Sequence, residues 1–186
     1  MDLSQVFVYH RKPAGLIGDT LFPLNHLKAR FPDAYTKEVA KYKGREWLLD
    51  IIVPSLNCLW NDVLHFSLMH PSIIFKSLAA TGTDYRHREL FWYEIPLADL
   101  IHHPSILYIN SSSSLSNDKV FLPSDFEPVT ASRVRELSGM PEINLDYYRE
   151  SAKRKEPPLL WMRAPHLLVK GAVIVRDYQP FDWRPS

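Results

Sequence analysis

Glycine and cysteine are both scarce: the 186-residue chain has six glycines and one cysteine, against fifteen prolines. Few glycines leave few places where backbone can press against a phosphate. The patterns G-x-G-x-x-G, G-x-x-x-x-G-K-[ST] and G-x-S-x-G do not occur, so dinucleotide-fold, P-loop and nucleophile-elbow readings lose their main support. H-E-x-x-H and C-x-x-C are missing too, which weighs against a zincin or a zinc ribbon. The single Cys58 has no partner for an intramolecular disulfide. Charge bias is also lacking: 22 Lys and Arg face 21 Asp and Glu, for a net charge of +1, which is not the balance of a basic nucleic-acid-binding domain. The longest apolar runs, Leu48-Leu49 and Ile51 to Val53, are broken by Asp50 and Pro54 and fall far short of a membrane span. Met1-Asp2-Leu3-Ser4-Gln5 lacks the basic flank and apolar core of a signal peptide. These absences predict a cytoplasmic protein of a reducing compartment, without a membrane partner.

What is present suits a globular core. The chain is 46% hydrophobic and 12% aromatic, and its length fits one domain spanning 1–186. Val6-Phe7-Val8-Tyr9 reads as a buried strand that ends at His10-Arg11-Lys12-Pro13, because proline cannot continue a central strand. Residues 14–32 look irregular, and 33–42 and 44–52 look helical. Val63 to Ser67 reads as a strand, with Pro71 opening a helix over 72–80. Strands are expected at 91–95, 106–109, 159–163 and 167–175, and helices at 130–137 and 145–155. Ser111 to Asp118 reads as a polar, mobile loop. Strands and helices do not alternate regularly, so the expected class is α+β.

Several residues are candidates for chemistry. His10 and Arg11 end the first strand, either as surface caps or as groups projected into a cleft. Alternation along 63–67 sends Val63, His65 and Ser67 to one face and Asp62, Leu64 and Phe66 to the other. A face that is polar at two of three positions is more than a plain core strand needs, and Trp60 could floor a pocket beside it. His166 opens the closing run Leu167-Leu168-Val169, as a satisfied buried residue or as a polar group facing a cleft. A metal reading of His65 and His70 would need a third ligand, such as the His102-His103 pair or Asp62. The basic residues of the last third, Arg133, Arg135, Arg149, Lys153, Arg154 and Lys155 among them, read as a solvated face or as a phosphate grip.

Strung together, these segments resemble the ADP-ribosyltransferase fold. Val8-Tyr9-His10-Arg11 is similar to the family's early strand with its NAD-holding Tyr-His or His-Thr motif. Leu64-His65-Phe66-Ser67, with the helix after Pro71, looks like its aromatic-Ser strand, turn and helix. Phe91 to Pro96 and Ile106-Leu107-Tyr108 resemble the next pair of strands. Arg163 to Gly171 is similar to the last catalytic strand of DarT-type DNA-modifying members. The sequence departs from those transferases at His166, where they place a glutamate. The tRNA 2′-phosphotransferases, relatives that use His and Arg on the same fold, solve the problem without it.

The resemblance implies a short-stranded split sheet with flanking helices and a cleft for NAD or another nucleotide. It implies catalytic roles for His10, Ser67 and His166, and cofactor contacts from Tyr9, Arg11, Trp60 and His65. The acceptor would be nucleic acid or protein. Two other readings stand beside it: a non-catalytic binding or inhibitor module on the same fold, and a metal-dependent hydrolase using His65, His70, His102 and His103.

Overall fold

In the computed structural model, residues 3–109, 121–160 and 162–185 are described. In chain order the elements are β1 (Phe7–Arg11), β2 (Thr20–Leu21), α1 (Leu24–Arg30), α2 (Pro32–Val39), β3 (Ile52–Val53), β4 (Cys58–Leu59), β5 (Val63–Ser67) and α3 (Pro71–Ala80). There follow β6 (Phe91–Pro96), α4 (Leu97–Leu100), β7 (Ser105–Tyr108), β8 (Phe126–Glu127), α5 (Ala131–Glu136), α6 (Glu142–Arg154), β9 (His166–Lys170), β10 (Val173–Ile174) and β11 (Phe181–Asp182). Seven strands form one sheet in the order β11-β6-β1-β5-β9-β7-β8, and every adjacent pair is antiparallel. The class is mixed α+β, as the irregular order of strands and helices predicts.

Side-chain alternation sorts the sheet into two faces. Val8, Leu64, Phe66, Tyr93, Leu107, Leu167 and Val169 turn to one face and join Leu97, Leu100, Ala131 and Val134 from α4 and α5 in one apolar cluster. The other face carries two clusters. Tyr9 and Trp92 meet Ile74 and Leu78 of α3, Tyr148 of α6 and Trp183. Val63, Tyr108 and Leu168 meet Val53, Trp60, Phe121 and Phe126. Between those two clusters the same face bears Ser67, His166 and His65.

Pairing is uneven across the sheet. β1 matches β6 over five residue pairs, and β5 matches β9 over five. Between β1 and β5 the register holds at one pair, Tyr9 with Ser67. His10-Arg11 and Val63 to Phe66 belong to strands yet do not pair with each other, so the two halves of the sheet part there.

Four expected elements come out differently, each for a local reason. Residues 14–32 hold β2 and α1 rather than irregular chain alone. The expected helix over 44–52 shrinks to one tight turn, Glu46–Leu49, because β3 takes its end to pair with β4. No strand forms over 159–163 among the described residues; side chains of α6 satisfy that backbone instead. Tyr148 donates its hydroxyl to the Leu160 carbonyl, while Tyr147 Oη and Asn144 Oδ1 accept the amides of Leu159 and Arg163. The closing run breaks at Gly171, whose φ of 95° needs a glycine, so β10 leaves the main sheet and pairs with β2. The polar loop 111–118 lies outside the described residues.

The C-terminal segment is tied down by Trp183. Its side chain is fully buried, its indole N–H donates to the Arg88 carbonyl at 2.9 Å, and its ring meets Phe75 and Tyr85 edge-on. Trp183→Ala is therefore expected to cost about 3–5 kcal/mol of folding stability. Urea denaturation checks this, and a loss below about 1 kcal/mol would show that the segment is not part of the folding unit.

Candidate functional site

The register lines up one side chain from each of five adjacent strands. Glu94 of β6 stands opposite Tyr9 of β1, Tyr9 opposite Ser67 of β5, Ser67 opposite His166 of β9, and His166 opposite Tyr108 of β7. Directly opposed residues share a face, so this row crosses the sheet on one side, over about 19 Å at the usual strand spacing. Three of the residues expected to act together, Tyr9, Ser67 and His166, are thus neighbours. His10 is not in the row. It alternates to the other face, where its ring lies edge-on to Phe66 at 5.1 Å. The expectation of His10 beside Ser67 and His166 is corrected: Tyr9 holds the place on β1 that faces them.

Ser67 is fully buried, and its hydroxyl is engaged on both counts. It donates to the Met69 carbonyl at 3.0 Å and accepts the Met69 amide at 3.1 Å, turning the chain from β5 towards α3. That hydroxyl shapes the turn rather than supporting a ribose. His70 then caps α3: its Nδ1 accepts the Ser72 amide at 3.2 Å, which leaves the proton of the neutral ring on Nε2. His70 sits edge-on to Tyr9 at 5.1 Å and stacks on Phe181 at 5.5 Å.

Tyr9 donates its hydroxyl to Glu94 Oε1 at 3.1 Å. Burial and the Glu94 charge both push the Tyr9 phenol upward, so it stays protonated and remains a donor. Beside it is a hollow of about 220 Å³ with polar walls from Gln5, Tyr9, His70, Arg135 and Ser138 and apolar walls from Phe7, Leu68, Ile73 and Val134. His70 also lines a second hollow, about 460 Å³, together with Ser72 and residues 181–185.

On the far side of Ser67 the face turns aromatic. The His65 ring lies 4.4 Å from Trp60 and 6.1 Å from His166, and Tyr108 lies 5.3 Å from Trp60 and 5.9 Å from His166. Trp60 is enclosed by His65, Tyr108 and Phe121, so it packs the core rather than offering an open face to a base. His65 Nε2 donates to the Trp60 carbonyl at 3.2 Å. Arg11 stands exposed at the end of β1, within electrostatic reach of Glu38 and Arg88.

Two further expectations change. Among the described residues no three His, Cys, Asp or Glu side chains converge in a way that could hold a metal ion. The basic residues of the last third are largely neutralised: Arg133 pairs with Glu127 and Glu136, Arg149 with Glu142 and Asp146, and Arg154 with Glu156. Sequence reasoning missed Glu94 and Tyr108 as members of the site and weighed His70 only as a metal ligand. Glu94 and Tyr108 become visible only through the strand register, whereas the His70-Pro71 pair was a readable N-cap signal. No protein family, curated protein or solved structure matches the chain. No helix among the described residues is long and apolar enough to cross a membrane.

Burial holds both His10 and His65 at a pKa of about 4, below the ordinary 6.5. Between those values the unfolded chain binds protons that the folded chain refuses, so stability falls as pH drops from about 6.5 to 4 and levels off below. The loss is on the order of 3 kcal/mol for each ring. Urea midpoints measured between pH 7 and pH 4 are expected to fall steeply, with a shallower slope in His65→Gln. A flat profile would contradict burial of these rings.

Proposed function

We propose that the protein is an ADP-ribosyltransferase-like domain that binds NAD or a related nucleotide where β1 and β5 part. The observation that carries this reading is the single pairing of Tyr9 with Ser67 in an otherwise well-paired sheet. A sheet opened at one seam offers unpaired backbone and side chains from two strands to a ligand, and the hollow lined by Tyr9 and His70 begins on the other side of the Tyr9–Ser67 pair. The order of elements supports the reading as well: an early Tyr-His strand, a strand ending in Ser67, a turn and helix, and a closing strand beginning at His166.

Bound NAD would supply a glycosidic bond whose cleavage releases nicotinamide. The chain's own residues would bind and orient the ribose end. Tyr9, its one hydroxyl proton given to Glu94, would accept from a sugar hydroxyl, the Nε2–H of His70 would donate to a sugar or carbonyl oxygen, and Arg135 adds positive charge at the wall of the hollow. The carboxylate of the row is Glu94, on the opposite side of Tyr9 from His166. A developing sugar cation would draw on that charge in place of a closing-strand glutamate. The acceptor, nucleic acid or protein, would approach from the exposed Arg11 end.

A second reading is favoured by a specific observation: His166 stands where an acid would, and the Ser67 hydroxyl is spent on its own turn. On that reading the seam binds a nucleotide or a partner without chemistry. Calorimetric titration and mass spectrometry separate the two. Heat with NAD, weakened about tenfold or more in Tyr9→Phe, is expected for both when the ligand is a nucleotide. A mass gain of one ADP-ribose unit on an oligonucleotide or protein acceptor supports transfer, and binding without a mass gain supports the module. No heat with NAD or ADP-ribose overturns the nucleotide reading.

A further inference from the structure

Asn61 lies in the turn Trp60–Asp62 that leads into β5. Its side chain is 1% exposed, and among the described residues neither the amide nitrogen nor the amide oxygen has a hydrogen-bond partner. The contrast with its neighbour is sharp. Asp62 has both oxygens occupied, accepting the Asn25 amide at 2.8 Å and the Leu59 backbone N–H at 2.8 Å. On the turn Glu46–Leu49, which packs against this one, Trp47 Nε1 is also buried without a partner.

A folded chain seldom leaves both ends of a buried amide unsatisfied, because each lost its water on folding. Replacing such a group with an apolar side chain of similar shape should stabilise the protein, unless function holds it there. We propose that Asn61 reads a ligand edge carrying one acceptor and one donor side by side. This inference rests on the nucleotide reading above. Two parts of such a ligand present that edge: the carboxamide of nicotinamide, and the adenine edge formed by its exocyclic amine and adjacent ring nitrogen. Asn is suited to both, since its amide offers the complementary acceptor and donor in one plane. Trp47 Nε1 supplies a further donor from the adjoining turn.

The test compares wild type with Asn61→Leu, and with Asn61→Ala should leucine disturb the turn. Melting temperature and calorimetric affinity are read together, with nicotinamide mononucleotide, nicotinic acid mononucleotide and ADP-ribose as probes. Asn61→Leu is expected to raise Tm by about 4 °C or more while weakening the recognised probe at least tenfold. If the carboxamide is read, wild type prefers nicotinamide mononucleotide to the nicotinic acid form, which lacks the donor, and the substitution erases that preference. If adenine is read, the loss falls on ADP-ribose instead. A fall in Tm for both variants with affinities unchanged would show that the amide serves the fold, and would overturn the proposal. A rise in Tm with every affinity unchanged would overturn it too. In both cases, NAD binding by wild type leaves the nucleotide reading standing. Absence of binding by wild type removes that reading, and this inference with it.

Discussion

The backbone pairing of Tyr9 with Ser67 joins two well-zipped halves of the sheet, and nothing else in the register does so. On one side β11, β6 and β1 form a unit; on the other, β5, β9, β7 and β8 form a second. A ladder would normally extend along both strands, since an unpaired backbone group in a protein interior costs free energy comparable to a lost hydrogen bond. Here the chain gives up that ladder just past a buried tyrosine and a buried serine. The His10 ring against Phe66 lies along that opening, the turn bearing Asn61 leads into β5, and the hollow at Tyr9 and His70 lies on the other side of the Tyr9–Ser67 pair.

Two physical tensions are built into this region. Imidazoles at His10 and His65 are half-buried, and desolvation keeps them neutral at neutral pH, which a core of leucine and phenylalanine would not require. Asn61 buries an amide with nothing to bond. Both features spend stability in the same part of the molecule, between β1, β5 and the turns before β5. Many other polar groups are served: Asp125 caps its own turn, Thr130 caps α5, and arginines of the last third find carboxylates, while Thr83 Oγ1 and Arg163 Nε are buried without a hydrogen bond among the described residues. Asn61 leaves both a donor and an acceptor unserved, and a local violation of that kind is often the mark of a site.

Much of the frame was legible in the sequence. The hydrophobic run at 6–9, the alternation at 63–67 and the Pro71 helix start gave β1, β5 and α3 within a residue or two of their bounds. Alternation also placed His65 and Ser67 on one face correctly. Register was not legible. Whether Tyr9 or His10 faces Ser67 depends on which residues lie opposite, and a shift of one flips every side chain. Chemistry alone favours the histidine, and pairing puts the tyrosine there instead. The 159–163 segment looked like a strand because its composition is apolar, but Tyr147, Tyr148 and Asn144 from α6 satisfy its backbone, a tertiary arrangement that no local pattern announces. Gly171 was a readable signal, and its positive φ is what separates β9 from β10. Glu94 escaped notice because a lone acid in a strand reads as a solvent-facing position until its cross-strand neighbour is known.

The central claim is that the seam between β1 and β5 is where a nucleotide sits. Amide hydrogen exchange followed by mass spectrometry, with and without saturating NAD, tests it most directly. The account predicts that NAD slows exchange in peptides covering 7–11 and 60–70 and leaves those of α6 unchanged. Slowing confined to other segments, or none anywhere, would contradict it.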